Sequence, residues 1–334
     1  MPMAKDLHTT TRKRRFKFAL LIALGLFLLS GLALAMYVRS QLSSITPVNI
    51  IQTPKALGIS PQVVAREDSL EEPPVNIALF GLDKRPDDKY GNSDVIMIVS
   101  ISKATNKIKL SSIMRDTYVK IDSLGMGKIN AAYRIGGPQL ALKTLNENFN
   151  LHLENFVSVD FNGMAQVIDG LDGVTIDVKK EEVRWINAYL DENNRDSRVK
   201  PPYVSKPGPQ TLNGRQAVAY TRIRYVGDDY ERTQRQRTVL SLLLQKLKSA
   251  GITEYPKVVS KILPYVETSI PRFQLLTLGS SVFMNNIRTI EERRFPQHFE
   301  SKGKIINGTW YLVTDLKSTS KSLFNFMYEG TRRQ

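Results

Sequence analysis

The sequence predicts an α/β fold: a single three-layer α/β/α domain with a mixed central sheet, preceded by one N-terminal transmembrane helix. Three observations carry this expectation. Strand-type segments rich in Ile, Val and Leu follow one another after Val75, strands then alternate with helix signals, and an uncharged apolar run occupies Phe18 to Val38.

The apolar run, "FALLIALGLFLLSGLALAMYV", is long enough at about 1.5 Å per residue to span a hydrocarbon core of roughly 30 Å. Lys5, Arg12, Lys13, Arg14, Arg15 and Lys17 precede it against Asp6 alone. The positive-inside bias therefore makes 1–17 a cytoplasmic basic tail, 18–38 a membrane anchor, and the rest extracellular, a single-pass type II arrangement. "LALA" at 32–35 resembles a signal-peptidase site, but such peptides have apolar regions of only about 7 to 15 residues. Residues 39–74 contain Pro47, Pro54, Pro61, Pro73 and Pro74 with few apolar clusters and read as a stalk or lead-in.

The compact exterior domain is expected over 75–330. "VNIALFGL", "VIMIVSIS" and "KIKLSSIM" read as strands, and their near-continuous apolarity implies cover on both faces. "GMGK" at 125–128 is not a P-loop, because no Ser or Thr follows the lysine, and it reads as a hairpin tip. A helix signal begins at Gly137-Pro138 and runs through "QLALKTLNENF". Next come a strand "FVSVD", a helix "NGMAQVIDGL" and a strand "VTIDV". "PPYVSKPGP" at 201–209 reads as a loop and "TLNGRQAVAY" as a short helix. A long helix is expected from about Asp229 to Ser249, and "YPKVVSKILPYV" and "GTWYLV" complete the same domain.

The formal net charge of +15 calls for an anionic partner, whether nucleic acid, lipid or phosphorylated substrate. Exterior placement argues against nucleic acid. There are no cysteines, which rules out disulfides and cysteine-type zinc sites, and the three histidines lie far apart.

Charge is concentrated where open α/β sheets bind ligands, outside the carboxyl ends of strands. Asp83 and Arg85 follow the first strand, Asp94 precedes the core of the second, and Arg115 and Asp116 end the third. In "YTRIRYVGDDYERTQRQR", Arg222 and Arg224 are two apart, so in an extended segment they point the same way. Arg232, Arg235 and Gln236 share a helical face, whereas Arg237 lies off it and is expected to be dispensable. Carboxylates in such a place suit a divalent ion, and arginines suit phosphate bidentately. The alternative is a solvated charge run in which Asp228, Asp229 and Glu231 pair with the arginines or cap a helix.

Taken in order, "NIALFGLDKR", "SDVIMIVSI", "LSSIMRDTYV", "KINAAYRIGG", "VSVDFNGMAQVIDGLDGVTIDV" and "LNGRQAVAYTRIRY…DDYERTQRQR" resemble the successive motifs of the LytR-CpsA-Psr family. That resemblance implies a Gram-positive wall enzyme. It would move a polyprenyl-pyrophosphate-linked glycopolymer of the teichoic acid or capsule type onto a muramic-acid hydroxyl of peptidoglycan. A phosphodiester is made and polyprenyl phosphate leaves. It further implies Asp83 and Asp94 as Mg2+ ligands, with Asp83, Asp94 and Arg115 catalytic. Arg85, Arg115, Lys128, Arg222, Arg224, Arg232, Arg235 and Gln236 would contact pyrophosphate, and an apolar lipid tunnel would lie between sheet and helices. Asn92 stands where many members carry Arg, Ala131 where histidine is common, and Met164 where phenylalanine is common. The general base stays open among Asp83, Asp94 and Asp116. A non-catalytic tethered binder of anionic wall polymer and a lipid-carrier pyrophosphatase are the rival readings.

Overall fold

The computed structural model describes residues 47–84, 88–193, 202–284, 287 and 289–330. The expected basic tail and anchor, and Arg85, lie outside the described residues. Among the described residues no helix is long and apolar enough to cross a membrane.

From Pro47 the chain already belongs to the packed body, so the part of the expected lead-in from 47 onward is not a loose stalk. Ser60 caps α1 (Pro61–Asp68) by accepting from the Val63 amide, and Leu57, Ile59 and Val63 are buried. Val48, Ile50, Val64 and Leu70 of this proline-rich stretch pack against the same core, while Ile51 stays exposed. His152 helps to fasten the stretch, with Nδ1 2.6 Å from Glu67 and Nε2 3.3 Å from Glu154.

β1 (Val75–Asp83), β2 (Asn92–Ser102) and β3 (Lys107–Ile113) form an antiparallel meander. A bulge after Gly81 shifts the register so that Asp83 stands opposite Asn92. Gly81 permits the close pairing there, since a Cβ would fall 2.8 Å from the Val95 side chain. β4 (Tyr118–Ile121) and β5 (Gly125–Lys128) make a hairpin, so "GMGK" is its returning strand rather than its tip. α2 (Ala131–Phe149) starts before the expected Gly137-Pro138 and is kinked there, with both Gly136 and Gly137 non-helical.

β6 (Asn155–Asp160) runs parallel to β1, and Asp160 then caps α3 (Phe161–Gly170) by accepting from the Gly163 amide at 2.7 Å. β7 (Val174–Val178) is a strand as predicted but stays out of the central sheet. After it come α4 (Lys180–Asn193) and β8 (Gly208–Leu212), and β7 pairs with β8 as a separate ribbon. Its strict alternation, with Thr175 and Asp177 exposed, buries one face only. α5 (Gly214–Arg222), α6 (Asp229–Ser249), α7 (Gly251–Ile262), β9 (Glu267–Thr268), α8 (Arg272–Met284) and β10 (Thr289–Phe295) follow. The ribbon of β11 (Ser301–Ile306) and β12 (Thr309–Thr314) and the helix α9 (Leu316–Tyr328) complete the described chain.

The central sheet has the order β10-β3-β2-β1-β6-β9 and is mixed, parallel at β10/β3 and β1/β6 and antiparallel elsewhere. On one face Phe80, Leu82, Ile96 and Ile98 pack with α2 and α9. On the other, α3, α5 and α6 share a core with β7, and Ile108 and Leu110 meet Leu240 and Leu244 of α6. Lys109, buried on β3, donates to the carbonyls of Phe326 and Glu329 at 2.8 and 3.0 Å, so its ammonium closes the C-terminal end of α9.

Candidate functional site

Two helix ends bring the arginine stretch to the strand ends. α5 opens on an Asn213–Gln216 capping box and stops at Arg222, because Ile223 leaves the helical region. α6 opens on a second capping box: the Asp228 carboxylate accepts from the Tyr230 and Glu231 amides, and Glu231 accepts from the Asp228 amide at 2.8 Å. The segment between them carries Arg224 past the carboxyl end of β1.

The result is a cleft of about 370 Å³ lined by Asp83, Asp94, Arg222, Arg224, Arg232 and Gln236. The Asp94 Oδ2 accepts from Arg115 Nη1 at 2.5 Å and lies 3.4 Å from Arg224 Nη2. Its Oδ1 takes a 3.4 Å contact from Asn130. Behind Asp94, Arg115 Nε stands 3.4 Å from Asp116, and Lys128 is 2.7 Å from that same carboxylate. Arg115 and Lys128 are therefore one step behind the cleft, coupled to it through carboxylates. Burial works against the Arg115 guanidinium, but Asp94 and Asp116 outweigh it and hold its pKa above the usual range.

Arg232 is 3% exposed, with Nη2 2.9 Å from Asp229. Burial pulls its pKa down against the opposing charge of Asp229, and the neighbouring Arg115 and Arg224 pull the same way. Its Nε is buried with no acceptor among the described residues. Such a crowded, under-satisfied set of cations is stabilised by an anion. Arg222 lies 5.0 Å from both the Phe161 and Tyr189 ring centres and 3.6 Å from Glu192.

The structure turns Arg235 away from the cleft. It is buried, its Nε 2.9 Å from an equally buried Glu182, and it donates to the carbonyls of Ile223 and Val226 at 3.2 and 2.7 Å. Three positions along a helix fall about 60° short of a full turn, enough to carry the side chain past the rim toward α4. Arg235 holds the segment that presents Arg224 instead of touching a ligand. Arg237 is off the site as read, yet it is not a surface residue: it is buried beside Glu292 at 3.5 Å.

Sequence reasoning missed the aromatic wall, where Trp185 stacks on Tyr225 at 4.2 Å and Tyr189 stands one turn along α4. Trp185 and Tyr189 at i, i+4 were the available signal. Left unassigned in the sequence was the lining of the expected apolar space between sheet and helices: a cavity of about 500 Å³ between the sheet and α6, α7 and α8 is lined by Ile77, Ile101, Leu244, Leu278, Val282 and Ile290 among others. A narrow space lined by Met97, Met164, Leu240 and Leu243 lies next to it and shares Val95, Phe161 and Gln236 with the arginine cleft. Met164 lines this narrow space while packing against the core of α3, α5 and α6.

No group of three or more His, Cys, Asp or Glu residues able to hold a metal occurs among the described residues. Asp83 and Asp94 are the two aspartates lining the cleft among the described residues. The donor chemistry fits magnesium, a hard cation usually held by one or two carboxylates with substrate phosphates completing the shell.

Comparison with known proteins agrees with this geometry. The model of the LytR_cpsA_psr family matches residues 36–325. The chain is 31% identical over 319 residues to a polyisoprenyl-teichoic acid–peptidoglycan teichoic acid transferase, TagU, of Oceanobacillus iheyensis, covering 92% of this chain and 91% of that protein. Among solved structures it is similar to Bacillus subtilis TagV, with 25% identity and a TM-score of 0.62, covering 79% of this chain and 100% of that one. It is also similar to YwtF (TagT) with bound octaprenyl pyrophosphate lipid, with 23% identity and a TM-score of 0.57, covering 78% and 92%.

Proposed function

Since this chain belongs to the LytR-CpsA-Psr family, we propose that it transfers an anionic glycopolymer from a polyprenyl pyrophosphate carrier to a hydroxyl of peptidoglycan. The observation that carries the reading is the placing of a cationic cleft and an apolar cavity along the same strands, with the narrow space at Met164 bordering the cleft. That layout suits an amphiphile with a diphosphate head and a long hydrocarbon tail. The teichoic acid transferase relative and the lipid-bound fold neighbour support the same substrate class.

Arg222, Arg224 and Arg232 bind the diphosphate oxygens, with Gln236 at the passage to the tail. Arg115 and Lys128 act through Asp94 and Asp116, keeping those carboxylates charged and in place. The acceptor hydroxyl attacks the phosphorus that bears the glycopolymer. The new P–O bond forms as the bond to the bridging oxygen breaks, and polyprenyl phosphate departs with that electron pair. The hydroxyl proton passes to a carboxylate. Asp116, held by Arg115 and Lys128 away from the cleft, is not placed for this, and Asp83 is the exposed carboxylate at the strand end. Asp83 and Asp94 would hold a magnesium ion, which when bound neutralises diphosphate oxygens. The rest is positioning and charge stabilisation, which phosphoryl transfer chiefly needs. With the anchor read at 18–38, the reaction takes place at the outer face of the cell membrane, and an activity reporter fused after Gln334 is expected to work only outside the cell.

The test is to incubate the purified chain with a polyprenyl-pyrophosphate-linked saccharide, a peptidoglycan oligomer and magnesium, and to identify products by mass spectrometry. A saccharide joined to the oligomer by a phosphodiester is expected, and excess chelator should abolish it. Tight binding without turnover would mark a binder instead. Free saccharide phosphate alone would mark a pyrophosphatase.

A further inference from the structure

Across the end of β1 from the arginine cleft lies another cavity, of about 520 Å³, formed by the ends of β1 and β6, the first turn of α3 and the segment 264–267. Asp83 lines the arginine cleft while its neighbours Leu82 and Lys84 line this one, so a single strand end separates them. Their chemistry differs. Arginine dominates the first, whereas here Lys84 and Lys89 are balanced by Asp160 and Glu267. Amide side chains, Asn162 and Gln166, and two tyrosines, Tyr90 and Tyr265, complete the polar lining.

The walls are built rather than incidental. Tyr90 packs edge-on to Tyr133 at 6.0 Å and rests on Gly137, where a Cβ would fall 2.7 Å from its ring. The backbone of Tyr265 lies against the first turn of α3 so closely that a Cβ on Gly163 would fall 2.6 Å from its carbonyl oxygen. The Tyr265 residue is nonetheless 43% exposed. A fixed aromatic surface beside amides and balanced charge suits an uncharged, amide-bearing sugar chain, and it does not suit a dense polyanion, which Asp160 and Glu267 would repel.

We propose that this cavity is the acceptor subsite, holding the amino-sugar glycan of peptidoglycan with its reactive hydroxyl turned over the end of β1 toward Asp83. The assignment rests on the transferase reading and extends it. It accounts for two chemically different cavities meeting at one strand end: the donor diphosphate takes the arginine side, and the acceptor hydroxyl reaches the phosphorus across the end of β1.

The experiment uses the full chain in detergent micelles and a soluble, uncross-linked peptidoglycan tetrasaccharide as probe. Asn162→Ala, Gln166→Ala and Tyr265→Ala, all at exposed positions, are compared with the parent by calorimetric titration and by transfer kinetics, with melting curves as the folding control. The parent is expected to bind the tetrasaccharide, and each variant to bind about tenfold more weakly. KM for the acceptor should rise in step while KM for the lipid-linked donor and kcat stay unchanged. Failure of the parent to bind, variants with parental affinity, or a donor KM that rises alongside would overturn the subsite, the last by giving the cavity to the donor saccharide. Binding that responds as expected in a chain with no transfer activity would instead remove the transferase reading and leave the glycan site standing.

Discussion

The arginine cleft and the apolar cavity beside it were made by opposite means. In the cleft, charge is left under-satisfied: Arg232 Nε is buried with no acceptor among the described residues, and Asp94 is shared between two arginines. In the cavity the lining is mainly aliphatic, with Gln245, Lys248, Ser249 and Tyr255 the polar exceptions, and space itself is the feature. One region recognises a ligand by electrostatics that fix orientation. The other recognises it by removing hydrocarbon from water, about 0.8 kcal/mol per buried methylene, with little regard for orientation. Substitutions should therefore behave differently in the two places.

The sharpest break would come at the cleft. Asp94→Asn removes a metal donor and the partner of Arg115 and Arg224, and transfer should fall about 10³-fold, with Arg222→Lys and Arg224→Lys falling about 10²-fold because lysine lacks the planar fork. Arg224 has a side chain 51% exposed, so its variant should melt as the parent does. Product formation within a factor of two of the parent would show that the cleft is a solvated charge run after all.

Next is the arginine that looks as though it belongs to the cleft and does not. Arg235→Ala strands a buried Glu182 carboxylate and two carbonyls, and should lower unfolding free energy by about 3–4 kcal/mol in urea titrations. Adding Glu182→Gln should recover part of the loss. A normal midpoint with abolished transfer would return Arg235 to the ligand.

Charge remote from both regions gives a smaller effect. His152, between Glu67 and Glu154, has its pKa raised to about 9 from an ordinary 6.5 by the Glu67 hydrogen bond, against burial. The folded state holds the proton more tightly than the unfolded one. The stabilisation is thus complete below about pH 6.5 and is lost as pH rises through 9, on the order of 2 kcal/mol after allowance for screening. A flat stability curve over that window, or the same slope in His152→Gln, would exclude the pair.

The smallest change is expected in the cavity. Leu278→Trp should reduce affinity for a long-chain polyprenyl donor about tenfold, yet leave a donor with a short isoprenoid nearly unaffected. Equal losses for both would mean that the residue acts through the cleft.

These differences also govern what could be read from the chain. The carboxylates and arginines at strand ends were legible because charge is costly to bury and marks a purpose, and the start of α6 was legible because Asp228 and Glu231 announce a cap. The direction of Arg235 was not, since periodicity places a side chain on a face but does not say which neighbour, here Glu182, the face meets. The residues lining the cavity were illegible for another reason: Ile101 or Leu244 would be the same letter whether it packed on a helix or on a lipid. The same holds for Leu57 and Ile59, whose burial depends on a core assembled from residues far along the chain. β8 was missed because its Gly208-Pro209 start reads as loop, and the alternation of β7 marks a half-covered strand without saying which partner it takes.

The contact between Arg224 and Asp94 sets a condition of entry. Because Arg224 already lies 3.4 Å from a carboxylate oxygen, an anion arriving in the cleft must win an exchange with a resident competitor for this arginine. A lone inorganic phosphate brings only its own charge to that contest, and its gain is offset by the ion pairs it breaks. A diphosphate tethered to a long hydrocarbon brings a second source of free energy, which grows with every methylene drawn into the cavity. The cleft can then discriminate against the small phosphates dissolved around it without any wall to exclude them: it is the tail that decides whether Asp94 lets go.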